Sequence, residues 1–342
     1  MRYVIHGAGA LGSLVGGRLA ASGAEVVLIG REDNMARIAS QGLELWLDDS
    51  RLIIRNISAC TTLEQLAPAD NDRIFLAVKS SATSEAVQEI REHYGEATPV
   101  FCLQNGVRNE ELVARRFLHV YGVMAGLVVR WLQPGVVAQI LYNDLSLGGY
   151  PLGCDETALE VANTLRAAGF NVTTHESIMA VKWSKLLLNL NNATLAALDS
   201  YLQLAMATSE LAALMAEVVE EGLKVLEVAG IPVAHQGGPY DLPAYVSGLK
   251  EIKTDQIRIA AAANLPAEKR AYPSTWVDLH NRCGGTEAAF LNGEIVLLGE
   301  KLGLPTPYNS TLLEIVERMA NDRQLPGAIS LERLKSLIAG RS

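Results

Sequence analysis

Six residues near the start of the chain limit the fold more than any others. Gly7-Ala8-Gly9-Ala10-Leu11-Gly12 stand between a short apolar strand, Tyr3–His6, and a helix-forming stretch, Leu11–Ser22. Each glycine in such a loop answers a different need. Gly7 allows the tight turn, Gly9 lets the backbone approach a pyrophosphate, and Gly12 lets the helix pack on the strand. The free amides of the first helical turn and the helix dipole then face the phosphates. A tight strand–helix turn without a ligand could use the same glycines. The context favours the dinucleotide reading, because a second strand, Glu25–Gly30, follows the helix as a βαβ unit requires. Gly7, Ala8, Gly9, Ala10, Leu11 and Gly12 are therefore candidate cofactor residues.

Strand and helix keep alternating through the first half. Ile74–Val78 and Val100–Leu103 read as strands, with helical periodicity over Ser84–His93 between them. That alternation implies a parallel sheet with right-handed crossovers. Val136–Leu147 alternates apolar and polar residues and is expected to add strands at one edge of the sheet. Past residue 175 the character changes. Val181–Leu198, Glu210–Val228, Ala288–Leu302 and Thr311–Asn321 are long amphipathic stretches of helix formers. Pro- and Gly-rich punctuation, including Gly237-Gly238-Pro239, separates them. The expected architecture is an α/β N-terminal domain of the Rossmann type with a mostly parallel sheet (1–175), followed by an all-α domain (176–342).

Composition narrows the partners. The chain carries 29 Lys+Arg against 38 Asp+Glu, a formal charge of −9, which speaks against a nucleic-acid binder, since that needs a basic face. No apolar run reaches the roughly 18–20 residues of a membrane span. Met1-Arg2-Tyr3-Val4 leads straight into the first strand with no signal-peptide pattern, so a cytoplasmic location is expected. Cys60, Cys102, Cys154 and Cys283 stand far apart and are expected to be reduced and buried. The six histidines are scattered as well, which argues against a metal site.

Strand tips supply the next candidates. Arg31 follows the second strand, where an NAD site would carry an acid for the ribose hydroxyl and an NADP site a cation for the 2′-phosphate. The neighbouring Glu32 lies past the tip, and a merely solvated arginine is the alternative. Lys79 and Asn105 stand at the ends of the strands Ile74–Val78 and Val100–Leu103. Either alone could be a turn residue, but the pair at successive tips faces the crevice where ligands bind in open parallel sheets.

In the helical half, Lys185, Asn189 and Asn192 fall at i, i+4 and i+7 in a segment rich in leucine and alanine. A polar stripe on an apolar helix lines either a polar cleft or solvent. A lysine buried in a cleft calls for a carboxylate, and Glu287, a single acid near the start of another apolar helix, is the expected partner. Its alternative role is to answer the helix dipole.

Taken together these segments resemble the ketopantoate reductase (2-dehydropantoate 2-reductase) family over nearly the whole length. The likeness includes Gly7–Gly12, Lys79, Gln104-Asn105-Gly106, Lys182-Trp183-Ser184-Lys185-Leu186 with Asn189, Ser274 to Asp278, Thr286-Glu287 with Asn292-Gly293, and Gly303-Leu304-Pro305-Thr306-Pro307-Tyr308-Asn309. The resemblance implies NADPH on the N-terminal domain and a small-molecule 2-oxo acid on the helical one. It assigns Lys185 as the catalytic lysine, Asn189 to the substrate hydroxyl, and Ser274 to the substrate carboxylate. Glu287 would orient lysine, product and cofactor ribose, with Asn105 and Lys79 on the cofactor side. Several positions depart from the family. Ala193 replaces its second asparagine, with Asn192 one step away; Trp276 is bulky; Gly284-Gly285 replaces a basic pair; and Ala289 replaces an acid.

The expected function is NADPH-dependent reduction of a 2-oxo acid, 2-dehydropantoate to pantoate first, with Asn189 and Asn192 reading a distal hydroxyl. Another branched or aromatic 2-oxo acid is the alternative substrate. A non-catalytic NADP(H)-sensing protein is the alternative function. The residues leave oligomeric state open, with a homodimer as the candidate.

Overall fold

The computed structural model describes residues 1–47, 50–234 and 241–341. The chain divides into two compact units, Met1–Lys182 and Trp183–Ser342. The first unit holds one sheet built from β1 (Arg2–His6), β2 (Glu25–Ile29), β3 (Leu43–Leu47), β4 (Ser50–Ile54), β5 (Ser58–Cys60), β6 (Asp72–Leu76), β7 (Val100–Cys102), β8 (Val120–Gln133), β9 (Val136–Gly149) and β10 (Asn171–Thr174). Its helices are α1 (Ala10–Ala21), α2 (Glu32–Gln41), α3 (Thr83–Tyr94), α4 (Asn109–Ala114) and α5 (Glu156–Ala167).

The strand order is β4-β3-β9-β8-β7-β6-β1-β2-β5, with β10 also pairing β9. All pairs are parallel except the hairpins β3–β4 and β8–β9. Alternate side chains of β1 enter two cores, one on each face of the sheet. Tyr3 and Ile5 meet Leu14 of α1 and Val161 of α5, whereas Val4 meets Val87 and Ile90 of α3 and Val113 of α4. That is the layering a right-handed βαβ sheet produces. Across neighbouring strands Phe75 stacks on Phe101 at 5.1 Å and Phe101 on Tyr121 at 4.5 Å, tying β6, β7 and β8 together.

Val136–Leu147 does not lie at an edge as its alternation suggested. β9 runs inside the sheet between β8 and β3, because the hairpin of β3 and β4 docks on its far side with Glu44 opposite Val136. The apolar residues of β9 are accordingly covered on both faces of its ends, where Val137 and Leu147 are fully buried.

Helix α6 (Ile178–Asn189) spans the division between the units. The second unit continues with α7 (Asn191–Ala197), α8 (Leu202–Ala205), α9 (Ser209–Val228), α10 (Leu242–Glu251), α11 (Gln256–Ala263), α12 (Ser274–His280), α13 (Asn292–Leu302), α14 (Pro307–Asn321) and α15 (Leu331–Ala339). Its described residues contain no strand. The long helix α9 buries Leu211, Leu214, Met215, Val218, Val219, Val225 and Leu226 at helical spacing and forms the centre of this core.

Two helices expected to be continuous are divided. Val181–Leu198 is interrupted at Leu190, and Ala288–Leu302 is a 3-10 turn, Ala288–Phe290, followed by α13 after Leu291. Gly237-Gly238-Pro239 and His235 lie outside the described residues. All four cysteines are free, but burial was overestimated: Cys102 is buried, Cys60 and Cys154 are half-buried, and Cys283 is exposed on the loop after α12. Among the described residues no helix is long and apolar enough to cross a membrane, and no cluster of metal-binding side chains occurs.

Candidate active site

The glycine loop sits where the sheet changes direction, between β1 and β6, at the carboxyl ends of the parallel strands. Gly7 has φ +110°, and a Cβ there would lie 2.5 Å from the Val78 amide nitrogen. A Cβ on Gly12 would lie 2.4 Å from the Gly7 carbonyl oxygen, so α1 can reach β1 only with glycine at this position. Gly9 differs from both: a Cβ there would meet nothing within 4 Å. The open side of the loop is therefore the side from which a pyrophosphate would approach. Gly9 caps α1 without a side-chain bond, and the first turn holds no acid. The amides of Ala10, Leu11 and Gly12 belong to a helical first turn, whose N–H groups have no acceptor within the helix.

Two residues brace this loop from behind. The Ala8 carbonyl accepts from Asn34 Nδ2 at 2.9 Å and from Ser13 Oγ at 3.2 Å. Asn34 is 1% exposed, and its Oδ1 accepts from the Gly135 amide at 2.7 Å. Both of its amide atoms are thus committed to backbone, linking the loop to the turn between β8 and β9.

The strand tips bring the other N-terminal candidates to the same edge. Arg31 is exposed at the N-cap of α2, with its guanidinium 5.9 Å from the Trp131 ring centroid. Lys79 is exposed and opens the 3-10 turn Ser80–Ala82 after β6. Asn105 is half-buried after β7, and its carbonyl accepts from Ser80 Oγ at 3.1 Å and Asn109 Nδ2 at 2.8 Å. Gln104 Nε2 donates to the Val78 carbonyl and to Thr83 Oγ1, each at 2.8 Å, and Thr83 Oγ1 donates to Asn109 Oδ1 at 2.8 Å. A buried polar net thus locks the tips of β6 and β7 to each other. Buried nets of this kind hold a geometry when their members are paired.

In the second unit Lys185 and Asn189 are half-buried on α6, and Asn192 is half-buried on α7. Burial alone pushes the Lys185 ammonium below the ordinary lysine range, with no carboxylate contributing to the shift. No carboxylate, Glu287 included, is among the causes of that shift. Glu287 is half-buried where the chain turns into Ala288–Phe290. Asn192 Nδ2 donates to Ser274 Oγ at 3.5 Å, joining α7 to the first residue of α12. Two residues on, Trp276 donates from Nε1 to Asp199 at 2.7 Å and stacks between Tyr272 at 3.7 Å and His280 at 4.6 Å.

Sequence reasoning missed the buried ion pair of Lys182 on α6 with Glu110 on α4, whose side chains are 1% and 0% exposed. The lysine was visible three positions before Lys185, but nothing local points to an acid 72 residues away. Asn34, Thr83 and Asn109 were likewise missed, because an isolated polar residue in an amphipathic helix looks solvated.

Family models place these geometries among known proteins. The model described as ketopantoate reductase PanE/ApbA matches residues 3–151, and its C-terminal counterpart matches residues 177–320. A 2-dehydropantoate 2-reductase of Pyrococcus horikoshii is 30% identical over 321 residues, covering 93% of this chain and 97% of that protein. Among solved structures, a PanE/ApbA family ketopantoate reductase from Ralstonia eutropha JMP134 superposes with a TM-score of 0.78 at 27% identity, covering 94% of this chain and 99% of that one. D-mandelate dehydrogenase, in a ternary structure with NADH and anilino(oxo)acetate, gives the same TM-score at 26% identity and the same coverage. On the match of both units, the chain belongs to the ketopantoate reductase PanE/ApbA family, oxidoreductases that act on a CH–OH/C=O pair with a nicotinamide cofactor.

Proposed function

We propose that the chain reduces a 2-oxo acid to the 2-hydroxy acid with NADPH, and that 2-dehydropantoate is its first candidate substrate. The N-terminal unit takes the cofactor and the helical unit the substrate. The observation that carries this reading is the company of Lys185. A lysine acidified by burial shares a helix with Asn189, and the next helix brings Asn192 within hydrogen-bond reach of Ser274.

When bound, NADPH supplies the hydride for the carbonyl carbon. Lys185 as ammonium donates a hydrogen bond to the carbonyl oxygen and passes it a proton as alkoxide character develops. Desolvation makes that ammonium a stronger acid than a surface lysine, which suits the transfer. Ser274 holds the carboxylate, Asn189 and Asn192 receive a distal hydroxyl, and Glu287 orients the bound ligands. On the cofactor side Gly7–Gly12 cradle the pyrophosphate, Lys79 and Asn105 line the crevice, and Arg31 meets the 2′-phosphate.

A second substrate class has its own support. Trp276 builds an aromatic stack two residues from Ser274, and the D-mandelate dehydrogenase likeness concerns an enzyme for an aromatic 2-hydroxy acid. The test is NADPH oxidation followed by absorbance across a panel containing 2-dehydropantoate, branched 2-oxo acids and phenylglyoxylate. Highest kcat/KM on 2-dehydropantoate supports the first reading, and highest on phenylglyoxylate supports the second. Tight NADPH binding with no oxidation by any of them would sink both and favour a sensor.

A further inference from the structure

The interruption at Leu190 has no proline or glycine to cause it, yet it lies between Asn189 and Asn192, the two residues assigned to the substrate hydroxyl. Leu190 itself keeps helical angles, φ −55° and ψ −35°. What changes is the use of its carbonyl. It accepts the Ala193 amide at 3.3 Å, an i to i+3 bond, and also Asn292 Nδ2 at 3.1 Å. An outside donor on a helical carbonyl is one of the few ways to bend a helix without proline.

That donor is the end of a buried chain of side chains. Asn292 Nδ2 also donates to Asn309 Oδ1 at 2.9 Å. Asn309 Nδ2 donates to Glu221 Oε1 at 2.8 Å and to the Val218 carbonyl at 3.2 Å. The Glu221 carboxylate in turn accepts the Tyr308 and Asn309 amides at 2.9 and 2.8 Å, closing the first turn of α14. Asn292 and Asn309 are both fully buried. The direction of every bond follows from groups that only accept, the Glu221 carboxylate together with the Val218 and Leu190 carbonyls. A carboxylate only accepts, so Asn309 must turn its amide nitrogen toward Glu221 and its oxygen toward Asn292. Asn292 must then turn both hydrogens outward, one to Asn309 and one to Leu190. This leaves Asn292 Oδ1 buried with no partner.

We propose that Glu221, Asn309 and Asn292 form a positioning relay that holds the Leu190 junction. The relay sets the angle between the helix bearing Lys185 and Asn189 and the helix bearing Asn192. These three are positioning residues, since they act through the Leu190 carbonyl. The proposal rests on the assignment of Lys185, Asn189 and Asn192 made above. It gives Asn292-Gly293 and Pro307-Tyr308-Asn309 a role, supplying the far end of a bond to the substrate helix.

The test uses the full chain with Asn292→Leu, which removes both donors while keeping the branched side-chain skeleton, and Glu221→Gln, which keeps the shape but removes the charge at the end of the relay. Hydrogen exchange of the backbone amides at 190–194 should quicken at least 10-fold in Asn292→Leu and less in Glu221→Gln, with the amides of α1 unchanged. For the 2-oxo acid, kcat/KM should fall at least 10-fold in Asn292→Leu while the NADPH Kd stays within about 2-fold. In the Asn192→Ala background the added loss from Asn292→Leu should shrink to about 2-fold, because both changes disturb the same contact. Unchanged exchange at 190–194, full additivity with Asn192→Ala, or normal turnover in Asn292→Leu beside a slow Lys185→Ala overturns the relay. Normal turnover in Lys185→Ala itself overturns the site assignment instead, so the two failures are told apart. Should Asn292→Leu not fold, Glu221→Gln carries the same exchange and kcat/KM measurements.

Discussion

Replacing Lys182 by methionine should cost the N-terminal unit about 3–5 kcal/mol, and replacing its partner as well should recover most of that loss. The magnitude follows from burial. The two side chains of the pair are 1% and 0% exposed, so neither charge can turn to water when the other is removed. Methionine keeps the length of the lysine stem and preserves its packing, which isolates the charge. Glu110 would then stand uncompensated, and its Oε2 is already buried without a hydrogen-bond partner. The same neighbourhood holds Cys102, whose thiol is pushed well up, first by burial and then by Glu110, with Lys182 opposing. For a unit of this size, 3–5 kcal/mol corresponds to roughly 6–20 °C in Tm. Glu110→Leu with Lys182→Met removes both charges and puts apolar volume in their place. That double variant should lie within about 1 kcal/mol of the parent, or above it. Urea unfolding followed by circular dichroism measures the parent, both single variants and the double. A single-variant cost under about 1 kcal/mol, or a double variant as unstable as the sum of both singles, would refute the claim that a desolvated pair is held together here.

Lys185→Ala should lower kcat by a factor of about 10²–10⁴, the usual contribution of a positioned general acid, and near-normal turnover would remove it from that role. In the parent, kcat/KM should fall as pH rises through the Lys185 pKa, because the ammonium is the working form. Burial depresses that pKa, so the alkaline limb should begin below the range of a free lysine, and a limb at or above it would contradict the desolvated site. Arg31→Ala should weaken NADPH use by about 10- to 150-fold in kcat/KM and barely affect NADH, since a charge-assisted contact to a 2′-phosphate contributes roughly 1.5–3 kcal/mol. A parent enzyme that already prefers NADH, or a variant that keeps its NADPH preference, would show that the cation at the tip of β2 does not select the cofactor.

The legible parts of this molecule are those where chemistry leaves a local trace. Gly7, Gly9 and Gly12 announce a backbone that must turn, stay open and be approached, and in the structure Cβ atoms at the first and last would collide while the middle one faces free space. Arg31, Lys79 and Asn105 were visible because each stands within two residues of the end of an apolar run, and parallel pairing of β2, β1, β6 and β7 brings those run ends to one edge. Val136–Leu147 was misplaced for the opposite reason. Its alternation says that it is a strand, but its neighbours are decided by β3, about 90 residues earlier, and pairing partners leave no periodicity in either strand.

The stripe of Lys185, Asn189 and Asn192 shows how a local reading of spacing can conceal a nonlocal device. A spacing of i, i+4 and i+7 assumes one unbroken helix, and nothing between Asn189 and Asn192 contradicts it, because Leu190 is as good a helix former as its neighbours. The deviation is imposed from outside by Asn292, which lies 102 positions away in sequence. Asn309 and Glu221 help dictate which way the Asn292 amide faces. Sequence alone shows Asn292 and Asn309 as two motifs near the ends of two helices, and Glu221 as one more acid on a helix that carries several. Their meaning appears once burial removes water as an alternative partner, since each donor must then find an acceptor and each choice fixes the next. Which substrate the site accepts is subject to the same logic. The residue types that could bind a hydroxyl are readable along α6 and α7, whereas the angle at which they meet it is set by a carboxylate two side chains away.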